Sequence, residues 1–191
     1  RAAGEPFDEG GFRTTFLDQT PLGSVEMQLA FAKTGEYGRW LRAHDTMAIV
    51  NGVAFVHGGA TPTVAAMGCA AINAAVRSEL QTARLTDPNI KGTLIAGAEG
   101  PLWYRGLVND PPAVTPDDVD GILRALHASA MVVGHSPAPG GHLRSSFGGR
   151  VIQIDTGMLG GTFFTDGAVS ALEIRNGTFT AIYIGRREVL K

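Results

Sequence analysis

Two short stretches constrain the fold most: Phe55-Val56-His57-Gly58-Gly59 and Val132-Val133-Gly134-His135-Ser136-Pro137. Each is an apolar, β-prone run that stops at a histidine flanked by glycine. Glycine at such a junction leaves room for a ligand and permits backbone angles that other residues avoid. A strand that hands its last side chain into a glycine-lined loop is one way for an α/β protein to present a metal ligand or a base. Two such strands can bring both histidines to the C-terminal edge of one sheet, where open α/β sheets place ligands. Neutral imidazole ligates Zn, Fe, Ni or Mn. Two histidines alone do not complete a site, because zinc-type sites take three or four protein ligands. Read singly, each histidine serves equally well as a buried strand-end residue satisfied by a backbone carbonyl.

The rest of the chain supplies an α/β frame. Residues 1 to about 20 are Gly-rich and weakly patterned, which predicts a loop-rich N-terminal segment over 1–23. From Ser24, the residues Val25, Met27, Leu29 and Phe31 give a helical pattern, and Trp40 and Leu41 suggest a second short helix. Met47–Val50 and Val53–Val56 flank Asn51-Gly52, the strongest short hairpin signal. Residues 62–84 read as one helix through Val64, Met67, Ile72, Val76 and Leu80. Residues 86–115 are rich in Gly and Pro and read as irregular. Thr115-Pro116-Asp117-Asp118 opens a helix that runs to about His127. Ala130–Val133 reads as a buried strand and Arg150–Asp155 as another. Residues 168–175 and 178–184 form a second hairpin at Asn176-Gly177. The pattern predicts one α/β unit over 1–191, its body spanning 24–191.

A chain of 191 residues is long enough to bury a real core. A net charge of −2 gives no electrostatic case for nucleic acid or an anionic membrane as a partner. The single Cys69 excludes an intramolecular disulfide, and no apolar run reaches the roughly 20 residues of a membrane span. The chain opens on Arg1-Ala2-Ala3-Gly4-Glu5, without an initiator Met or a signal-peptide core. That start is expected of a processed or truncated chain, or of one cut from a longer reading frame. The expected localisation is cytoplasmic.

A third stretch, Gly100-Pro101-Leu102-Trp103-Tyr104-Arg105-Gly106, sets aromatic residues beside an arginine between glycines. It suggests an anchored loop that aims a guanidinium, whose planar fork pairs bidentately with phosphate. Taken alone, it reads more simply as a surface arginine beside an aromatic anchor. His44, His127 and His142 are assigned structural places, with His142 also a candidate for the site rim. Cys69 reads as a buried structural thiol, and Asp155 ends a strand that could border the site. Asn176-Gly177-Thr178 reads as a hairpin turn rather than a glycosylation acceptor.

Five segments taken in order resemble the C-terminal half of a bacterial calcineurin-like metallophosphoesterase. The likeness is greatest to the PPP-type serine/threonine phosphatases of the Shewanella-like branch. The segments are 35–41, 55–59, 100–106, 132–137 and 151–158, and the similarity runs from about Gly35 to Tyr183. The resemblance implies part of a metallophosphoesterase β-sandwich with mixed sheets and flanking helices. It implies that His57 and His135 ligate one metal of a two-metal centre (Mn, Fe, Zn or Ni). It also implies that Arg105 grips the phosphate of a phosphorylated substrate. Ser136 stands where the family more often has Thr. The family's earlier motifs, Gly-Asp-x-His, Gly-Asp-x-x-Asp-Arg and Gly-Asn-His-Glu, do not occur in residues 1–56. A partner chain or a missing N-terminal half is then expected to complete the site.

The function so implied is metal-dependent phosphomonoester hydrolysis, on phosphoserine or phosphothreonine. A nucleotidase or dinucleoside polyphosphate hydrolase is an alternative within the same chemistry. The alternative of another class is a catalytically inactive remnant that binds a metal, a phosphate ligand or a protein partner. Imidazoles of His57 and His135 within a few ångströms of each other, with Arg105 facing them, are what the family reading requires.

Overall fold

The computed structural model describes residues 7–82, 88–161 and 163–190. The chain divides into two compact units, 1–44 and 45–191. Residues 24–44, expected to belong with the α/β body, fall in the first unit.

The first unit is helical: α1 (Glu9–Gln19), α2 (Ser24–Phe31) and α3 (Glu36–Ala43). The loop expected up to residue 23 is corrected by α1. Gly10 and Gly11 disguise that helix in the sequence, while the Asp8 side chain caps its start by accepting from the Gly11 N–H. Among the described residues of this unit, only Gly38 is buried.

The second unit carries a mixed five-stranded sheet in the order β1-β2-β3-β5-β4. Its strands are β1 (Met47–Val50), β2 (Val53–Val56), β3 (Ala130–Val133), β4 (Arg144–Ser146) and β5 (Val151–Gln153). The β1–β2 hairpin turns at Asn51 and Gly52, with φ of 49° and 75°, as the Asn-Gly pair requires. β2, β3 and β5 run parallel, and β4 returns antiparallel on β5. An antiparallel three-stranded sheet follows: β6 (Ser170–Arg175), β7 (Thr178–Tyr183) and β8 (Arg186–Val189).

Side-chain alternation sorts the core into two layers. Ala54, Val56, Met131, Val133 and Val151 face Ile72 and Val76 of α5 (Cys69–Thr82) and Val119, Ile122 and Leu123 of α6 (Pro116–Ala125). The alternate residues Val53, Ala130, Val132 and Ile152 cluster with Leu172, Ile174 and Phe179 of the second sheet. All four residues of β3 are buried. That is why it reads as a continuous apolar run rather than an alternating one.

The helix expected over 62–84 is broken. α4 (Pro62–Ala65) stops, Gly68 turns at φ +78°, and α5 begins at Cys69; residues 83 and 84 lie outside the described residues. α6 ends at Ala125 instead of His127, whose φ is +53°. No described helix is long and apolar enough to cross a membrane.

Ile72 has no exposed surface, so Ile72→Ala is expected to cost about 2–5 kcal/mol in urea unfolding through lost contacts and a residual cavity. A second expectation concerns the capping box of α6. There the Thr115 backbone N–H, then its hydroxyl, hold the Asp118 carboxyl below its ordinary value of 3.8. A carboxyl depressed in the folded state contributes stability above its unfolded pKa and loses it as pH falls. Asp118→Asn should therefore flatten the drop in melting temperature between neutral pH and pH below about 4.

Candidate active site

β2 and β3 pair in parallel from Val53↔Ala130 to Val56↔Val133. The ladder runs one step further, the Gly134 N–H donating to the His57 carbonyl at 2.8 Å. Both histidines therefore leave the same edge of the sheet. His57 Nε2 and His135 Nδ1 lie 3.0 Å apart, with ring centroids at 4.9 Å.

The turn that carries His135 is held from below. His135 has φ +64°, a left-handed conformation that costs a non-glycine residue roughly 1–2 kcal/mol. The Ser136 N–H bonds back to the Gly134 carbonyl at 2.7 Å. Gln153 of β5, 5% exposed, donates through Nε2 to the Ser136 carbonyl at 2.6 Å. The buried Ser136 Oγ has no hydrogen-bond partner among the described residues.

Arg105 arrives on the irregular segment. Its Nη2 donates to His135 Nε2 at 3.1 Å. The segment is tied to the His57 loop where the N–H groups of Gly58 and Gly59 both donate to the Pro101 carbonyl, at 2.8 and 3.2 Å. Further back, the Glu79 carboxylate of α5 accepts from the Leu94 and Ile95 N–H groups, each at 3.0 Å. The Trp103 indole N–H donates to the Ile95 carbonyl at 3.0 Å. The Trp103 ring then stands edge-on to His135, centroids 5.1 Å apart. Beside Arg105 opens a cavity of about 660 Å³, lined in part by Lys91, Glu99, Trp103, Tyr104 and Asn109.

Burial, then the Arg105 and His57 charges, lower the His135 pKa from 6.5; Asp155 opposes them. The net direction favours the neutral ring, the form that ligates a metal. At the usual nitrogen–metal distance of about 2.0–2.1 Å, Nε2 of His57 and Nδ1 of His135 can both reach one ion. Two neutral imidazoles suit Mn, Fe, Zn or Ni. Among the described residues, no group of three or more His, Cys, Asp or Glu is placed to hold an ion. The donor set fits as part of a ligand shell, not as a closed one.

The remaining candidates sort as follows. Asp155 borders the site: its charge acts on His135, and its Oδ1 accepts from the Gly157 N–H at 3.0 Å. His142 packs against Tyr183 and accepts from Arg186 at 3.1 Å, contacts on the second sheet rather than at the site. His44 lies against Trp40. The Cys69 thiol, raised in pKa by burial and by Asp45, donates to the Met47 carbonyl. Sequence reasoning passed over Gln153, a polar residue inside the apolar strand Val-Ile-Gln-Ile. It also read Trp103 only as a loop anchor.

No protein-family model matches the chain. Among solved structures, it is similar to the cold-active protein tyrosine phosphatase of a psychrophilic Shewanella species. That match has a TM-score of 0.70 and 23% identity, and covers 96% of this chain and 52% of the other. A second structure of a cold-active protein tyrosine phosphatase gives a TM-score of 0.66 and 24% identity, over 82% of this chain and 45% of the other. The chain thus spans about half the length of the structures it matches, and at these identities the likeness is one of fold.

A Cβ on Gly58 would sit 2.9–3.0 Å from the backbone of Pro101 and Leu102, atoms that no side-chain rotation can move. One on Gly134 would meet only the His57 carbonyl, at 3.4 Å. Gly58→Ala is therefore expected to cost about 1–3 kcal/mol and to displace the Arg105 segment. Gly134→Ala should cost less. Urea unfolding, with amide exchange at Gly58 and Gly59, checks both.

Proposed function

We propose that this chain supplies part of a phosphoester-hydrolase site. His57 and His135 are two ligands of one divalent ion, and Arg105 is the clamp on the substrate phosphate. The observation that carries this reading is convergence. His135 stands 3.0 Å from His57 and 3.1 Å from Arg105, three side chains from segments far apart in sequence. The likeness of fold to phosphatases supports it.

In the complete domain, two divalent ions supply a hydroxide nucleophile and neutralise phosphoryl charge. The two histidines hold one ion, and the remaining ligands come from outside the described residues. Arg105 pairs with phosphoryl oxygens and stabilises the charge that develops on them. The cavity beside Arg105 receives the group esterified to the phosphate. Phosphoserine and phosphothreonine are candidate substrates by resemblance, and phosphotyrosine by the name of the structural neighbours. The second reading, an inactive remnant that binds a metal or a phosphate ligand, is favoured by the lack of a third ligand among the described residues.

Mn²⁺ titration by calorimetry and p-nitrophenyl phosphate hydrolysis, on the chain and its His57→Ala variant, test both readings. Metal binding weakened by at least about tenfold in the variant, with metal-dependent turnover lost alongside, is the expected result. Binding without turnover would leave the inactive remnant. Equal binding by both proteins would remove His57 from the metal site.

A further inference from the structure

The two sheets of the second unit end on four strands: β1 and β4 bound the mixed sheet, β6 and β8 the antiparallel one. An edge strand presents unpaired N–H and C=O groups to any strand that can join it. Three of these edges are guarded. The Asn73 side chain occupies β1 as a strand would, accepting from the Met47 N–H at 2.9 Å and donating to the Met47 carbonyl at 2.8 Å. β4 is three residues long and carries an exposed Arg144. β8 is exposed throughout and carries Arg186, Arg187 and Glu188.

β6 is guarded in none of these ways. It is six residues long and contains neither Gly nor Pro. Its two-residue turn makes Arg175 and Thr178 a hydrogen-bonded pair, and bonded pairs alternate from there. Arg175, Glu173 and Ala171 therefore bond β7, while the N–H and C=O groups of Ser170, Leu172 and Ile174 point outward. Among the described residues, none of those outward groups has a backbone partner. Leu172 and Ile174 pack on the buried layer beneath yet stay partly exposed. A further strand would thus cover apolar surface as well as satisfy hydrogen bonds.

We propose that the β6 edge docks the β6 edge of a second copy of this chain. Antiparallel pairing about a two-fold axis at Leu172 sets Leu172 opposite its own copy and Ser170 opposite Ile174. Each of these pairs joins outward-facing residues, so each exchanges both its hydrogen bonds. Leu172 meets Leu172 over the inner layer, and the two three-stranded sheets become one. On the outer face, Ala171 lies opposite Glu173 of the second copy, with no like charges opposed. A slip of two residues would set Glu173 against Glu173, which is unfavourable, and would leave Ser170 opposite the turn. Charge and hydrogen bonding thus select the same register. The second copy supplies what β6 needs: an unguarded strand of equal length.

The test is sedimentation of the whole chain across a wide concentration range, with amide exchange read along β6. A reversible dimer is expected, its Leu172 and Ile174 amides slowed, and fast again in the diluted monomer. Ala171 is exposed, so a charge placed there acts on the contact and leaves the fold intact. Ala171→Lys should tighten the dimer and Ala171→Glu weaken it, each by roughly 2- to 30-fold for two cross-strand pairs. Leu172→Pro removes an outward N–H and spares the ladder to β7, as an edge strand permits. It should be monomeric, with the Thr180 and Ile182 amides still protected; if it unfolds, the Ala171 variants decide. A chain that stays monomeric throughout overturns the proposal. So does a dimer whose Leu172 and Ile174 amides exchange freely, since another surface then carries it. Equal dimer strengths in the two Ala171 variants overturn the register, and with it the two-fold pairing.

Discussion

The parallel register of β2 on β3 is the constraint from which the site follows. A slip of one residue would move His135 by about 3.3 Å along the strand, more than the whole 3.0 Å gap that separates it from His57. It would also turn Met131 and Val133 away from the helices and toward the second sheet. β3 is buried on both faces, so that exchange would disturb two apolar layers at once. The distance between two polar side chains is thus set by apolar packing beneath them, where neither histidine takes part.

Arg105 has no such frame, since among the described residues its segment contains no strand and only one short 3₁₀ turn, at Ile90–Gly92. It is placed by backbone accounting instead. Glu79 satisfies two N–H groups at the start of the loop, Trp103 takes the Ile95 carbonyl, and the Pro101 carbonyl takes the two glycines after His57. Each tie satisfies a group that would otherwise need water. Together they lead from α5 to the face of the site.

What the sequence revealed and what it hid divide along this line. The Asn-Gly hairpins, the Thr115 cap and the buried run of β3 are local signals, and all were legible. The strand ends that present His57 and His135 were legible for the same reason. β8 was not, because Arg186, Arg187, Glu188 and Val189 are all exposed and carry no periodicity. β4, short and polar, is recognised only through its pairing with β5. The break at Gly68 lay within an apolar pattern that continues across it. Gln153 could have been noticed as an uncharged polar residue in an apolar strand, but its partner, a carbonyl in the next loop, depends on tertiary structure alone.

The polar groups around the site fall into two kinds, and the difference bears on what each can do. Gln153 is buried beneath the His135 turn and Asn73 beside Met47. Breaking such a bond strands a polar atom away from water, at about 1–3 kcal/mol. They can hold a strained turn and a strand edge, and they are not free to exchange. His57 and Arg105 are exposed; their hydrogen bonds compete with water and are worth little net. An incoming ligand that offers stronger partners can displace them with small loss. A rigid buried layer under an exchangeable exposed one is what a ligand site needs: the first fixes where the imidazoles stand, and the second leaves their nitrogens and the guanidinium open to new partners.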